Sequence, residues 1–97
     1  MSYTWVYILR CSDGSYYTGR TEDPNRRLQQ HQAGEGSQWT QRRLPVTLVY
    51  AQEFPTEEDA LRAEQQIKGW SRAKKEALMA GDYDTLKWLS KKPLFRE

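Results

Sequence analysis

The chain has 97 residues, 12% of them aromatic and 29% charged, with a formal net charge of +2. That length sets the expectation of a single domain over residues 1–97 with a modest core, and the composition excludes a disordered or collagen-like chain. No run approaches the roughly 18 apolar residues that a membrane span needs, and the single cysteine, Cys11, excludes an internal disulfide. Met1 to Trp5 lack a charged segment leading into an apolar run, so no signal peptide is read and a cytoplasmic location is expected.

Tyr3 to Arg10 is rich in aromatic and β-branched residues with apolar side chains on both faces, which predicts a central strand. Ser12-Asp13-Gly14 reads as a turn and Ser15 to Arg20 as a second strand, making a β-hairpin. Asp23-Pro24 opens a helix, aspartate as N-cap and proline as first residue. It runs to about Ala33 and stops at Gly34. Gly34 to Pro45 has no periodicity and is predicted as a polar, basic loop. Val46 to Phe54 is a third strand, and Thr56 caps a second helix that reaches about Lys68. Ser71 starts another, ending near Ala80-Gly81. Asp82 to Ser90 forms a short last helix and Lys91 to Glu97 a tail. The core is expected over about residues 3–80, with the short helix and tail at 82–97. The order β-β-α-β-α-α predicts an α+β fold, a small three-stranded antiparallel sheet flanked by helices. No glycine-rich phosphate loop follows a strand, and no Cys/His cluster has zinc-site spacing.

Charge is unevenly placed. Arg20, Arg26, Arg27, Arg42 and Arg43 fall in one stretch and Lys68, Arg72, Lys74 and Lys75 in another, while acids gather at Glu57-Glu58-Asp59. Such a distribution suits either an ordinary solvated surface or a basic face for nucleic acid. Lys68, Arg72 and Lys75 would share a face on a continuous helix, but Gly69 is expected to break it.

The hairpin tyrosines are core residues unless their register says otherwise. Side chains alternate along a strand, so the loop length decides which residues share a face. A two-residue loop puts Tyr7 and Tyr17 on opposite faces. A three-residue loop, with Gly14 at the left-handed position, pairs Cys11 with Ser15 and Tyr7 with Gly19, and puts both tyrosines on one face. The three-residue loop is expected, with Gly19 leaving room for a ligand or a backbone to approach. In the first helix Arg27 and His31 lie four apart on one face, with Leu28 beside them pointing inward. Arginines early in a helix oppose its dipole, which an anionic ligand would offset, and Arg20 can reach the same place. In the second helix Glu64 falls three residues after Leu61 and three before Ile67, on the stripe of Ala60 and Ala63. A carboxylate there must turn outward, pair with an arginine, or ligate a hard divalent cation.

Together these residues resemble the GIY-YIG nuclease superfamily. Trp5-Val6-Tyr7 and Tyr17-Thr18-Gly19 stand where the family has its two triplets. Arg27 follows Gly19 by the spacing of the family's catalytic arginine, Arg20 stands where a basic residue is common, His31 matches a histidine-or-tyrosine position, and Glu64 matches the metal-binding glutamate. The stretch Ala63 to Arg72, followed by Lys74-Lys75, is similar to small stand-alone bacterial members of uncharacterised role. The likeness covers about residues 3 to 79. Trp5 replaces a glycine and Thr18 an isoleucine, and the asparagine some members carry after the glutamate has no counterpart. No second domain is read, so specificity would be low or supplied by a protein partner. A monomer is expected.

The resemblance implies hydrolysis of nucleic-acid phosphodiester bonds, DNA foremost, in repair or processing. Glu64 would hold one Mg²⁺ or Mn²⁺, and Arg27 with Arg20 would offset charge in the transition state. Tyr7 would be the base, with Tyr17 and His31 orienting water or phosphate or relaying a proton. As an ordinary tyrosine titrates near 10, a base role asks neighbouring cations to lower that value. Arg42, Arg43, Lys68, Arg72 and Lys75 would hold the backbone away from the cut. The alternatives are a non-catalytic nucleic-acid-binding module on the same scaffold and a structural or interaction domain.

Overall fold

Thr4–Arg10, with no polar face, forms the middle strand β1 of a three-stranded sheet in the computed structural model, which describes residues 3–90. β2 is Tyr16–Thr21 and β3 is Thr47–Phe54; the order is β2-β1-β3 and both pairings are antiparallel. The helices are α1 (Pro24–Gln32), α2 (Gln38–Gln41), α3 (Glu57–Lys68), α4 (Arg72–Met79) and α5 (Tyr83–Ser90). The α+β architecture expected from the sequence is the one observed. The expected tail at 91–97 lies outside the described residues.

The hairpin closes through the three-residue loop. The Cys11 amide donates to the Ser15 carbonyl at 2.8 Å, and Gly14 takes the left-handed conformation at φ +83°. Tyr7 therefore pairs with Gly19 and Leu9 with Tyr17. Helix starts follow the caps: Asp23, Thr56 and Ser71 each accept the amide three residues on. Gly69 ends α3, so Lys68, Arg72 and Lys75 do not lie along one continuous helix.

The segment predicted as loop over Gly34 to Pro45 contains α2, a single turn capped by Ser37, which accepts the Thr40 amide. One turn is too short for periodicity to register.

Both faces of the sheet are covered. Val6 and Ile8 pack with Ala60, Ala63 and Ile67 of α3, Leu78 of α4 and Leu86 of α5. On the other face Tyr7, Leu9 and Cys11 pack with Val46 and the half-buried Leu28 and Leu44. Burying each Leu or Ile of these clusters contributes about 1.5–3 kcal/mol. The small Ala60 and Ala63 let α3 lie close to the strands, which brings Glu64, one residue further on, against the sheet.

Candidate active site

A cleft of about 390 Å³ opens at the β2 edge, lined by Tyr7, Tyr17, Gly19, Arg20, Arg27 and Glu64, with Glu57 and Glu22 at its rim. Strand alternation explains how these residues meet. Tyr7, Tyr17 and Gly19 belong to the α1 face, whereas Arg20, opposite Val6, belongs to the α3 face. β2 is an edge strand, so the cleft draws on both faces by wrapping around that edge.

On the α1 side, Tyr7 is 2% exposed and its hydroxyl lies 2.9 Å from His31 Nε2. His31, 0% exposed, places Nδ1 2.8 Å from Thr40 Oγ1. The Thr40 hydroxyl donates to the Ser37 carbonyl at 3.1 Å. Assigning its one proton to that carbonyl makes Thr40 Oγ1 the acceptor from His31 Nδ1–H and from the Ser37 hydroxyl, 3.1 Å away. His31 Nε2 then carries the lone pair and accepts from the Tyr7 hydroxyl. Burial holds the imidazole below its ordinary value, and the Arg27 charge acts in the same direction, so His31 is neutral near pH 7. Burial likewise raises the Tyr7 phenol, and the Arg27 guanidinium beside it pulls back without reversing the shift. The lowered tyrosine that a simple base role asked for is not what the fold provides.

His31 does not line the cleft; it stands behind Tyr7 and acts on the cleft through it. The Tyr17 ring packs 6.4 Å from that of Tyr7 and 5.4 Å from that of His31, centroid to centroid. Two glycines make room for this stack. A Cβ at Gly19 would sit 2.5 Å from the Tyr7 hydroxyl oxygen, and one at Gly36 would run into the His31 ring. The space where a Gly19 side chain would stand is taken by the Tyr7 ring, while Gly19 itself still lines the cleft.

On the α3 side Glu64 is buried, and both its oxygens are engaged. Arg20 Nε meets Oε1 at 2.7 Å and Lys68 Nζ meets Oε2 at 3.1 Å. Arg20 also reaches Glu57 at 3.3 Å. Among the described residues no group of three or more His, Cys, Asp or Glu gathers into a metal cage, and of the cleft's carboxylates Glu64 is the buried one, sharing Arg20 with the exposed Glu57. Arg27, half-buried, is steadied by Gln30 at 2.9 Å.

The other basic residues singled out in the sequence are dispersed. Lys68 is taken by Glu64. Arg72 donates to the Gly14 carbonyl at 2.6 Å, pairs with Glu76 and covers the Tyr16 ring, tying α4 to the hairpin. Lys75 is half-buried, which lowers its ammonium pKa. Arg43 bonds Asp13 and the Trp39 carbonyl, and Arg42 is exposed. None of Arg42, Arg43, Lys68, Arg72 and Lys75 lines the cleft. Sequence reasoning missed Thr40, Gly36, Gln30 and Glu57. Only Ser37, a cap signal for Thr40, pointed towards any of them.

Residues 3–77 match the GIY-YIG catalytic domain. The UPF0213 protein VNG_2274C of Halobacterium salinarum is 51% identical over 73 residues, 75% of this chain and 95% of that protein. The UPF0213 protein BH0048 of Halalkalibacterium halodurans is 45% identical over 89 residues, 89% of this chain and 95% of that protein. The solution NMR structure of the UPF0213 protein BH0048 from Bacillus halodurans is similar at a TM-score of 0.53 and 46% identity, covering 82% of this chain and 84% of that one. That of protein EF2693 from E. faecalis is similar at 0.57 and 32% identity, covering 100% and 96%. No helix among the described residues is long and apolar enough to cross a membrane. The matched domain spans the tyrosine hairpin, Arg27 and Glu64, and relatives about half identical share nearly their whole length with this chain, which therefore belongs to the GIY-YIG domain family alongside the UPF0213 proteins.

Proposed function

We propose that this protein is an endonuclease that hydrolyses nucleic-acid phosphodiester bonds, DNA foremost, at the cleft on the β2 edge, in repair or processing. The observation that carries the reading is the convergence of Tyr7, Tyr17, Arg20, Arg27 and Glu64 on one cleft. Glu64 is the residue that would hold one divalent ion. A single hard carboxylate suits Mg²⁺ or Mn²⁺, which keep several waters, and both its present partners are exchangeable cations. Such an ion, when bound, supplies Lewis-acid stabilisation of negative charge on the phosphate.

The chain's own residues do the rest. Arg27, and Arg20 once it leaves Glu64, offset charge on the phosphate oxygens. Tyr7 is the base, but not as a resting phenolate. The attacking water gives its proton to the Tyr7 oxygen as the phenol proton passes to His31 Nε2. The water oxygen bonds to phosphorus, and the leaving oxygen departs with the electron pair of the broken bond and takes a proton from solvent. Tyr17 orients the water or the phosphate, and His31, through Tyr7, positions and receives the proton. A protein partner could add target specificity to that of the cleft.

The test is a cleavage screen over single strands, flaps, branched DNA and RNA with Mg²⁺ and Mn²⁺, run beside Glu64→Ala. Cleavage lost in Glu64→Ala with binding retained is the expected result, and undiminished cleavage overturns the assignment of Glu64. Salt-dependent binding without cleavage in any divalent ion identifies the non-catalytic module instead.

A further inference from the structure

We propose that Trp39, with the Arg43 guanidinium stacked on it, is a platform for an unpaired nucleobase, so that the preferred substrate carries a single-stranded segment next to the cut. This rests on the nuclease reading of the cleft and adds a substrate class to it.

Four large hydrophobic residues are exposed among the described ones: Tyr3, Trp39, Tyr83 and Trp88. Trp39 alone of these has a cation over its ring, with the Arg43 guanidinium carbon 3.3 Å from the ring centroid. Arg43 is fixed from two further sides, by Asp13 at 3.1 Å and by the Trp39 carbonyl at 2.9 Å. Asp13 lies in the hairpin turn, so the stack is fastened to the hairpin that carries Tyr7 and Tyr17. Trp39 remains 45% exposed although the guanidinium covers one side of it. Its geometry is set before any ligand arrives, so little side-chain freedom is lost on binding.

Charge favours a nucleic acid as the occupant. Residues 38–43 carry two arginines and no acid. Arg43 neutralises Asp13, while the exposed Arg42 side chain has no hydrogen bond or ion pair among the described residues and is available to a phosphate. A stacking face accepts any base, but only one released from a duplex, where both faces are already covered. Location adds to this. Thr40, the next residue, points inward to His31, and His31 holds Tyr7. One turn of helix thus presents the platform outward and anchors the cleft inward.

The experiment measures binding of the whole protein to fluorescein-labelled oligo(dT) and to a long blunt duplex, in EDTA so that no cleavage occurs. Trp39→Ala and Trp39→Leu are expected to weaken oligo(dT) binding about ten-fold and to leave duplex binding within about two-fold, while Trp39→Phe keeps most of the affinity. Leucine retains apolar bulk without an aromatic face, so it separates stacking from support of α2, and thermal melting of each variant reports the fold. Unchanged oligo(dT) affinity in both Ala and Leu variants, or an equal loss on duplex, overturns the proposal, and unchanged affinity would point to a protein contact at Trp39. Because the readout needs neither metal nor turnover, it stands apart from failure of the cleavage screen.

Discussion

On the α1 side of the cleft, Tyr7, His31 and Thr40 are joined by neutral hydrogen bonds in a fully buried line; on the α3 side, Glu64 is held by two cations that themselves reach solvent. The two devices differ in what they resist. Removing one member of the buried line leaves a desolvated donor or acceptor unpaired, at about 1–3 kcal/mol. Glu64 is buried, but its partners reach solvent, so cutting it back leaves cations that water can take up rather than a stranded charge, at a cost of about 0–1 kcal/mol. On the proposed reading, the proton path lies where geometry is fixed in advance, and the carboxylate lies where charges would change hands when a divalent ion and a phosphate arrive.

The largest expected effect tests the exchangeable side. Glu64→Ala should lower cleavage by more than about a thousand-fold, since it removes the carboxylate proposed to hold the ion, while the thermal midpoint moves little. Tyr7→Phe comes next and should show the opposite balance. Cleavage falls about 10²–10⁴-fold, and stability falls by about 1–3 kcal/mol because the buried His31 Nε2 loses its donor. Equilibrium urea unfolding of the two variants compares them directly. If Glu64→Ala proved the less stable, the division between a rigid and an exchangeable side would be wrong.

Acid should break the rigid side selectively. The folded protein holds the His31 pKa below the ordinary value of about 6.5, so the unfolded chain binds the proton first as pH falls. The stability contribution is complete above about 6.5 and is lost as pH drops through the folded value. Imidazolium also cannot accept from Tyr7, so the cleavage rate should fall about ten-fold per pH unit below that same point. An acid limb of the rate profile that fails to track the His31 titration read by NMR in the same protein would remove His31 from the proton path.

Legibility in the sequence divides along the same line. The hairpin register followed from Gly14 and strand alternation alone, because a period of two leaves only two arrangements. The placement of Glu64 followed from its position on an apolar stripe. Both are local rules. The line through His31 was not legible, because it needs Thr40 on a one-turn helix, nine residues further along, and Gly36 to let the backbone approach the ring. No periodicity spans that segment. Histidine at position 31 could be placed on the Arg27 face, but whether it opened to the cleft or stood behind Tyr7 depends on tertiary packing. The pairing of the second basic cluster was hidden for a related reason: charge count does not reveal that Lys68 and Arg72 are already paired within the fold.

The smallest expected effect sharpens the exchangeable side. Lys68 and Arg20 both hold Glu64, yet unequally. Arg20 approaches at 2.7 Å with its side chain 30% exposed and has Glu57 as a second anchor, whereas Lys68 approaches at 3.1 Å with its side chain 52% exposed. Lys68 is therefore the weaker competitor for the carboxylate, and it does not line the cleft. Replacing it by methionine keeps the aliphatic stem and frees Oε2. A divalent ion then no longer has to displace an ion pair worth about 0.2–1 kcal/mol, so Mg²⁺ should bind roughly 1.5–5-fold more tightly. NMR titration of the Glu64 region with Mg²⁺, without nucleic acid, reads this directly. Arg20→Met also frees an oxygen of Glu64 but removes a cation meant for the phosphate, so it should tighten the ion while slowing cleavage. If Lys68→Met instead weakened Mg²⁺ binding, Lys68 would be orienting the carboxylate rather than competing for it, and the α3 side would be as pre-set as the Tyr7 side.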